Sequence, residues 1–328
     1  MSDTLVTGGS GTLGRAWIRV ALAHPEGRVI CYSRNEHMQA QLIDEFGHHP
    51  EFRAFLGDVR DYDRLKQACR GVETVIAAAA LKRVESTAYN PTELTKTNVI
   101  GVENTIRAAA AGGVGKVVLI SSDKAVCPAN PYGVSKAMAE TVAIMSNSWC
   151  HPAGLRVCAV RYGNVLGSRG SVIETWRKQM AKGEPFRLTD LRMTRFAMSI
   201  ADAVACVRFA VRWMHGGEVF IPSLPSVHLE DVARAVNQDW PQEVVGLRSG
   251  GEKLHESLLS AEEATRTVAV DDGYYVVHPS YRDWSGEAWP AKGTRVPEGF
   301  TYTSDRNMVW LNPEQTRLMI QETETLAA

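Results

Sequence analysis

Leu5-Val6-Thr7-Gly8-Gly9-Ser10-Gly11-Thr12-Leu13-Gly14 decides how this chain folds. An apolar run of strand length, Thr4–Thr7, leads directly into glycines at three-residue spacing. Those glycines, Gly8, Gly11 and Gly14, open the helical stretch Thr12–Ala23. Glycine lets the backbone turn tightly and approach a pyrophosphate, whose charge is favoured at a helix N-terminus. Gly8, Ser10, Gly11, Thr12, Leu13 and Gly14 are therefore expected to cradle a dinucleotide. A glycine string alone can be a mere tight turn; its place between first strand and first helix carries the inference.

The same rhythm continues outward. Apolar runs at 28–32, Phe52–Leu56, 74–79, 116–121 and 155–161 alternate with helical stretches at Glu36–Phe46, 62–69, 91–111 and 132–146. Strands of about five residues alternating with helices predict an α/β fold, a doubly wound parallel sheet covered on both faces. After Gly163 the rhythm loosens and glycine and arginine become frequent. A dinucleotide-binding Rossmann domain is expected over 1–165 and a smaller mixed α/β substrate domain over 166–328. The boundary is soft, because such chains cross back to add a strand to the first sheet.

Composition excludes several classes. The 328 residues suit one large domain or a large plus a small one, and the formal net charge of -1 gives no basic excess for nucleic acid or a membrane surface. No apolar stretch is long enough to span a bilayer, and no signal peptide is expected ahead of the glycine loop. The six cysteines form no C-x-x-C pair and no zinc spacing, so they read as reduced thiols of a cytoplasmic protein, with no metal implied.

The second strand ends in Ser33-Arg34. NAD sites usually carry an acidic residue there for the ribose 2′-hydroxyl; an arginine suits the 2′-phosphate of NADP. Asp58 and Val59 end the third strand, where a carboxylate can accept from the adenine amino group, and Ala78 and Ala79 end the fourth with side chains small enough to admit the cofactor.

Ser121-Ser122-Asp123-Lys124 ends the fifth strand, and Tyr132 and Lys136 follow as Y-x-x-x-K. Four-residue spacing puts Tyr132 and Lys136 on one helix face. A phenol titrates near 10, too high for a base at neutral pH. A nearby ammonium and a cationic nicotinamide are expected to lower it, so that Tyr132 can deprotonate a substrate hydroxyl. A sugar epimerase needs only the tyrosine, the lysine and a small hydroxyl. Asp123-Lys124 offers a second acid/base pair.

With these motifs in view, the chain resembles the inverting UDP-N-acetylglucosamine 4,6-dehydratases of the extended short-chain dehydrogenase superfamily, which open the pseudaminic acid and related bacterial glycan pathways. The matching stretches are 7–14, 32–34, 57–61, 79–84, 97–98, 121–136, 161–172, 189–196, 216–222, 251–256 and 302–304. The Ser-Asp-Lys segment, the R-Y-G-N-V-x-G-S-R-G-S-V run and M-T-R-F are more specific than the glycine loop.

The resemblance implies a closed redox cycle on UDP-N-acetylglucosamine or a close UDP-N-acetylhexosamine. Tyr132, with Lys136 and Ser122, would serve C4 oxidation by NADP. Lys124 would remove the C5 proton and Asp123 would protonate the departing C6 hydroxyl. Such a base needs a lowered pKa. Asn164, Arg169, Gly170, Ser171 and Val172 would meet the nucleotide, and Arg195 and Arg248 the phosphates. Lys82 would lie between cofactor and substrate, with Ser121 and Val165 on the cofactor side. A homo-oligomer is also implied. The sequence departs from the family pattern at Arg83, Glu85, Ala88, Ser122, Cys127 and 249–251. A UDP-sugar 4-epimerase, a dehydratase that retains C5 and a non-catalytic NADP-sensing module are the competing readings.

Overall fold

A computed structural model describes residues 2–82, 89–280 and 293–327. Arg83, Val84, Glu85 and Ala88 lie outside the described residues. The strands of the first half are β1 (Thr4–Thr7), β2 (Val29–Ser33), β3 (Phe52–Leu56), β4 (Thr74–Ala77), β5 (Lys116–Ile120) and β6 (Arg156–Val160). Each sits within two residues of its expected place. Helices Thr12–Ala23, Glu36–Phe46, Tyr62–Ala68, Gly101–Gly112 and Pro131–Met145 alternate with them.

The second half contributes β7 (Asn164–Val165), β8 (Phe186–Leu188), β9 (Thr194–Met198), β10 (Val219–Pro222), β11 (Ser226–His228), β12 (Gln242–Val244), β13 (Ser257–Leu259), β14 (Thr267–Val270), β15 (Tyr274–Val277), β16 (Thr294–Arg295) and β17 (Tyr302–Thr303). Among the described residues the main sheet has ten strands, in the order β16-β14-β15-β10-β6-β5-β4-β1-β2-β3. Every neighbouring pair from β3 to β10 is parallel, and β15, β14 and β16 extend the sheet antiparallel. The chain thus crosses back with four strands of its second half. Val75, Ile76, Val117, Val118, Val157 and Cys158 are fully buried in the sheet centre, as strands covered on both faces require.

A second apolar cluster lies under the substrate-side elements, built on Trp176, Phe186, Leu188 and Val227. Its strands are short because they pair in two- and three-stranded patches rather than joining the main sheet.

One expected helix is interrupted. The stretch read as continuous over 91–111 is α-helical at Pro91–Leu94, widens to a π-helix at Thr95–Ile100, and returns to α at Gly101–Gly112. The widened turn presents the buried Asn98 to the end of β4. Its amide accepts from Leu81 N at 2.8 Å and donates to Leu81 O and Ser135 Oγ at 2.9 Å. Widened turns of this kind concentrate at functional sites.

Candidate active site

The order of the parallel strands reverses between β1 and β4, β2 and β3 being laid down on one side and β4 to β6 on the other, and ligands of such sheets bind in the crevice beyond the strand C-termini there. Gly8 has φ +68, and a Cβ on it would lie 2.9 Å from Ala79 Cα. A Cβ on Gly14 would lie 2.5 Å from Gly9 Cα. Helix Thr12–Ala23 begins at Gly11 with no side-chain cap, leaving its first N–H groups open towards the crevice. This cradle fits a dinucleotide pyrophosphate. Ser10, Thr12 and Leu13 complete the loop, and Ala78 and Ala79 form its opposite wall.

Ser33 is buried, and its Oγ accepts from Gln39 Nε2 at 3.0 Å. The Arg34 side chain is half-exposed, with its guanidinium 3.7 Å from Asp58 Oδ2. Asp58 also holds Arg60, at 2.7 Å. Burial raises the Asp58 carboxyl, but Arg60 and then Arg34 bring it below its ordinary range. Val59 packs in the core beside Asn104, which donates to Val59 O at 3.2 Å.

The 164–172 segment spans both sides of the crevice. Arg169 N donates to Thr12 Oγ1 at 3.1 Å, and Lys82 Nζ donates to Arg169 O at 2.8 Å. The Arg169 guanidinium lies 3.4 Å from Met38 Sδ, which places that side chain at the first turn of the helix Glu36–Phe46. Gly170 takes φ +74, and Ser171 then precedes the helix Val172–Ala181. Asn164 Oδ1 and Ser171 Oγ are buried without a hydrogen-bond partner, so this segment leaves polar capacity for a ligand. Val165 is half-buried next to them.

The acid–base residues meet at the end of β5. Asp123 is fully buried and opens a short 3₁₀ turn, Asp123–Ala125. Its Oδ1 accepts from Ser122 Oγ at 2.8 Å and from Lys124 Nζ at 3.0 Å, while Oδ2 has no partner. Burial raises the Asp123 carboxyl, and that effect exceeds the opposing pull of Lys124. Tyr132 and Lys136 follow on the helix Pro131–Met145, which Asn130 caps by accepting from Gly133 N at 2.9 Å.

Two expectations about charge need correction. Burial lowers the Lys124 ammonium, but Asp123 and Glu256 outweigh it and hold the pKa above its ordinary value. Tyr132 is likewise raised: burial acts first, and the nearby Lys124 and the Ser122 hydrogen bond only partly oppose it. No such expectation attaches to Lys136, and it is the lysine that burial lowers, to about 8, against the pull of Glu140. Lys136 Nζ donates to Ile120 O at 2.5 Å. Ser121 Oγ donates to Glu140 at 2.6 Å, into the core.

The remaining arginines arrive from the second half. Arg195 is buried on β9, donating to Thr194 O at 2.7 Å and Leu254 O at 3.0 Å. Arg248 is half-exposed and pairs with Glu252 at 2.6 Å; the same Glu252 oxygen lies 3.7 Å from Arg195. Glu256, Lys253 and Asn98 were assigned no role from sequence, although 251–256 and 97–98 lay in the matching stretches. The signal was a cluster of charges, K-x-x-E, whose destination only folding reveals.

Cys127 is exposed and is the one non-glycine residue with positive φ, +45, among the described residues; the other five cysteines are free and buried. No described helix is long and apolar enough to cross a membrane.

Residues 4–278 match the family described as polysaccharide biosynthesis protein. A Campylobacter jejuni protein named UDP-N-acetylglucosamine 4,6-dehydratase (inverting) is 39% identical over 330 residues, covering 98% of each chain. A Rickettsia massiliae protein named UDP-glucose 4-epimerase is 34% identical, covering 96% of this chain and 94% of its own. The X-ray structure of Pen from Bacillus thuringiensis superposes with TM-score 0.89 at 32% identity, covering 99% of this chain and 98% of that one.

Proposed function

The chain belongs to the polysaccharide biosynthesis protein family and, within it, to the inverting UDP-N-acetylglucosamine 4,6-dehydratases, and from that premise we propose that it dehydrates UDP-N-acetylglucosamine to a UDP-2-acetamido-2,6-dideoxy-4-keto-hexose with inversion at C5. The observation that carries this reading is the Asp123–Lys124 pair, a fully buried carboxylate 3.0 Å from a partly exposed ammonium, at the end of β5 beside Tyr132. An epimerase has no evident use for it.

The nucleotide cofactor is NADP, selected by Arg34 where an acidic residue would favour NAD. When bound, it supplies the acceptor for a hydride from C4 and the donor of one to C6. Tyr132 takes the proton of the C4 hydroxyl, with Lys136 one helical turn further on. Its phenolate is favoured by Lys124, the Ser122 hydrogen bond and the positive nicotinamide of the bound cofactor, against the burial that raises it. A 4-ketone then acidifies the C5 hydrogen.

The raised Lys124 value does not bar it from acting as a base. In the resting pair Lys124 is an ammonium and Asp123 a carboxylate. Passing one proton from Nζ to Oδ1 gives a neutral amine and a neutral acid. The amine removes the C5 proton. The acid protonates the C6 oxygen as the C6–O bond breaks and water departs. The pair is then an ammonium and a carboxylate again. C5 regains a proton on the face opposite the one it lost as C6 receives its hydride. The proton that Tyr132 took from the C4 hydroxyl is released, which closes the proton balance of the turnover. Burial of Asp123 favours its neutral form, which supports this exchange.

The UDP lies against Asn164, Gly170, Ser171 and Val172, with Arg195 and Arg248 at the phosphates. The lobe that holds it follows residue 165, less the strands returned to the main sheet. We place the enzyme in the cytoplasm as a homo-oligomer that retains its cofactor between turnovers.

The test is mass spectrometry of the purified protein with UDP-N-acetylglucosamine in D2O, without added cofactor. Loss of one water with one deuterium at C5 supports the reading, and NMR of the product reads the C5 configuration. An unchanged sugar skeleton with a new C4 epimer overturns it.

A further inference from the structure

Lys124 of the first half and Arg195 and Lys253 of the second converge on one side chain that the reaction as derived does not use. Glu256 is 3% exposed. Its Oε1 lies 3.3 Å from Lys124 Nζ and 3.9 Å from Arg195 Nε, and its Oε2 lies 3.4 Å from Lys253 Nζ. That Oε2 makes no hydrogen bond of proper geometry.

The backbone beneath it is clamped. Glu256 N donates to Ser304 Oγ at 2.9 Å, and Ser304 N donates to Glu256 O at 2.9 Å. Ser304 Oγ and Thr194 Oγ1 are 2.7 Å apart, and Thr194 Oγ1 also meets His255 Nδ1 at 2.9 Å. Lys253 Nζ reaches across to donate to Val126 O at 2.5 Å. A buried carboxylate fixed this firmly is a costly arrangement unless its charge is used.

We propose that Glu256 is a positioning residue: it holds the Lys124 ammonium against Asp123 in the resting enzyme and sets the pH at which Lys124 can accept the C5 proton. The proposal rests on the dehydratase reading above. The groups facing Lys124 are Asp123 and Tyr132 from the first half and Glu256 from the second, with Arg195 and Lys253 behind Glu256. Both carboxylates stabilise the ammonium; Arg195 opposes them. Without Glu256 the amine would be held by Asp123 alone, with its ammonium less favoured.

The test is exchange of the C5 hydrogen of the 4-keto product in D2O, followed by NMR on the holoenzyme across pH. This reads proton transfer at C5 without a redox step. Glu256→Gln keeps the shape and removes the charge. It is expected to slow exchange by about 10- to 100-fold, no more than the low end of a direct acid–base contribution, as befits a residue that acts through Lys124. The rising limb of its pH profile should move to lower pH, because a lost negative charge lets the ammonium deprotonate sooner. Glu256→Asp restores the charge and should return the limb towards its wild-type position. Thermal melting of both variants reports folding.

An unmoved limb in Glu256→Gln overturns the proposal, as does an equal loss of rate in both variants that tracks a lowered melting temperature. Wild-type protein that yields only a C4 epimer overturns the dehydratase reading, and the role of Glu256 falls with it. A wild-type dehydratase with an unmoved Glu256→Gln limb removes this proposal alone.

Discussion

Two clusters of charge built on buried carboxylates lie beyond the ends of β5 and β6, and they serve opposite purposes. In one, the Arg161 guanidinium donates to Glu140, to Glu263 at 2.8 and 2.9 Å, and to Leu258 O at 2.9 Å, while Ser121 Oγ donates to Glu140. No side-chain atom of these residues is buried without a partner. In the other, Asp123 and Glu256 each keep one buried oxygen without a hydrogen bond. A satisfied network rigidifies a fold; an unfinished one costs stability and leaves capacity for a ligand. The first cluster ties the end of β6 to the helices that flank it. The second waits beside Tyr132.

If the contrast is sound, variants should separate activity from stability. The largest effect falls on the unfinished cluster. Lys124→Met should lower the rate of water loss by about 10³- to 10⁴-fold, read by mass spectrometry. Asp123→Asn should lose a comparable factor without lowering the melting temperature, since it removes a buried charge with an unpaired oxygen. A melting point that collapses in Asp123→Asn would make that cluster structural too.

Arg161→Met should behave in reverse. It strands Glu140 and Glu263 and should cost about 3–5 kcal/mol of folding stability, measured by urea unfolding. Stability equal to wild type would show that the finished network is dispensable.

Lys136 sharpens the comparison through pH. Its folded pKa, about 8, lies below the 10.5 of an ordinary lysine. The unfolded chain therefore binds more protons between those values, so stability should rise with pH from about 8 to 10.5 and be flat in this respect below 8. The gain should be about 3 kcal/mol. Urea unfolding across that range should show it in wild type and not in Lys136→Met. The smallest effect is expected at the exposed Arg34: Arg34→Ala should reduce preference for NADP over NAD by about 10-fold, read by cofactor binding to the apoprotein.

Much of this was legible before folding. The glycine loop, the strand–helix alternation and Y-x-x-x-K are local patterns, and each keeps its meaning wherever the chain goes next. The helix 91–111 was less legible, since a π-turn at Thr95–Ile100 depends on Asn98 finding Leu81 and Ser135 in space. The charge states of Tyr132 and Lys124 were misjudged for the same kind of reason. Residue types in sequence predict lowering at both, whereas burial raises Tyr132, and Asp123 together with a carboxylate 132 residues further along the chain raises Lys124 against its burial.

By itself the sequence determined the parallel sheet, the dinucleotide cradle and the residue types available for acid–base chemistry. These follow from backbone sterics at glycine and from the period of apolar residues, which are properties of short segments. Only the tertiary structure decided that β10, β14, β15 and β16 return to the first sheet, that Arg169 sits at the glycine loop, and that Glu256 meets Lys124. Those outcomes depend on long-range burial and electrostatics, where a charge acts through distance in space rather than position in the chain.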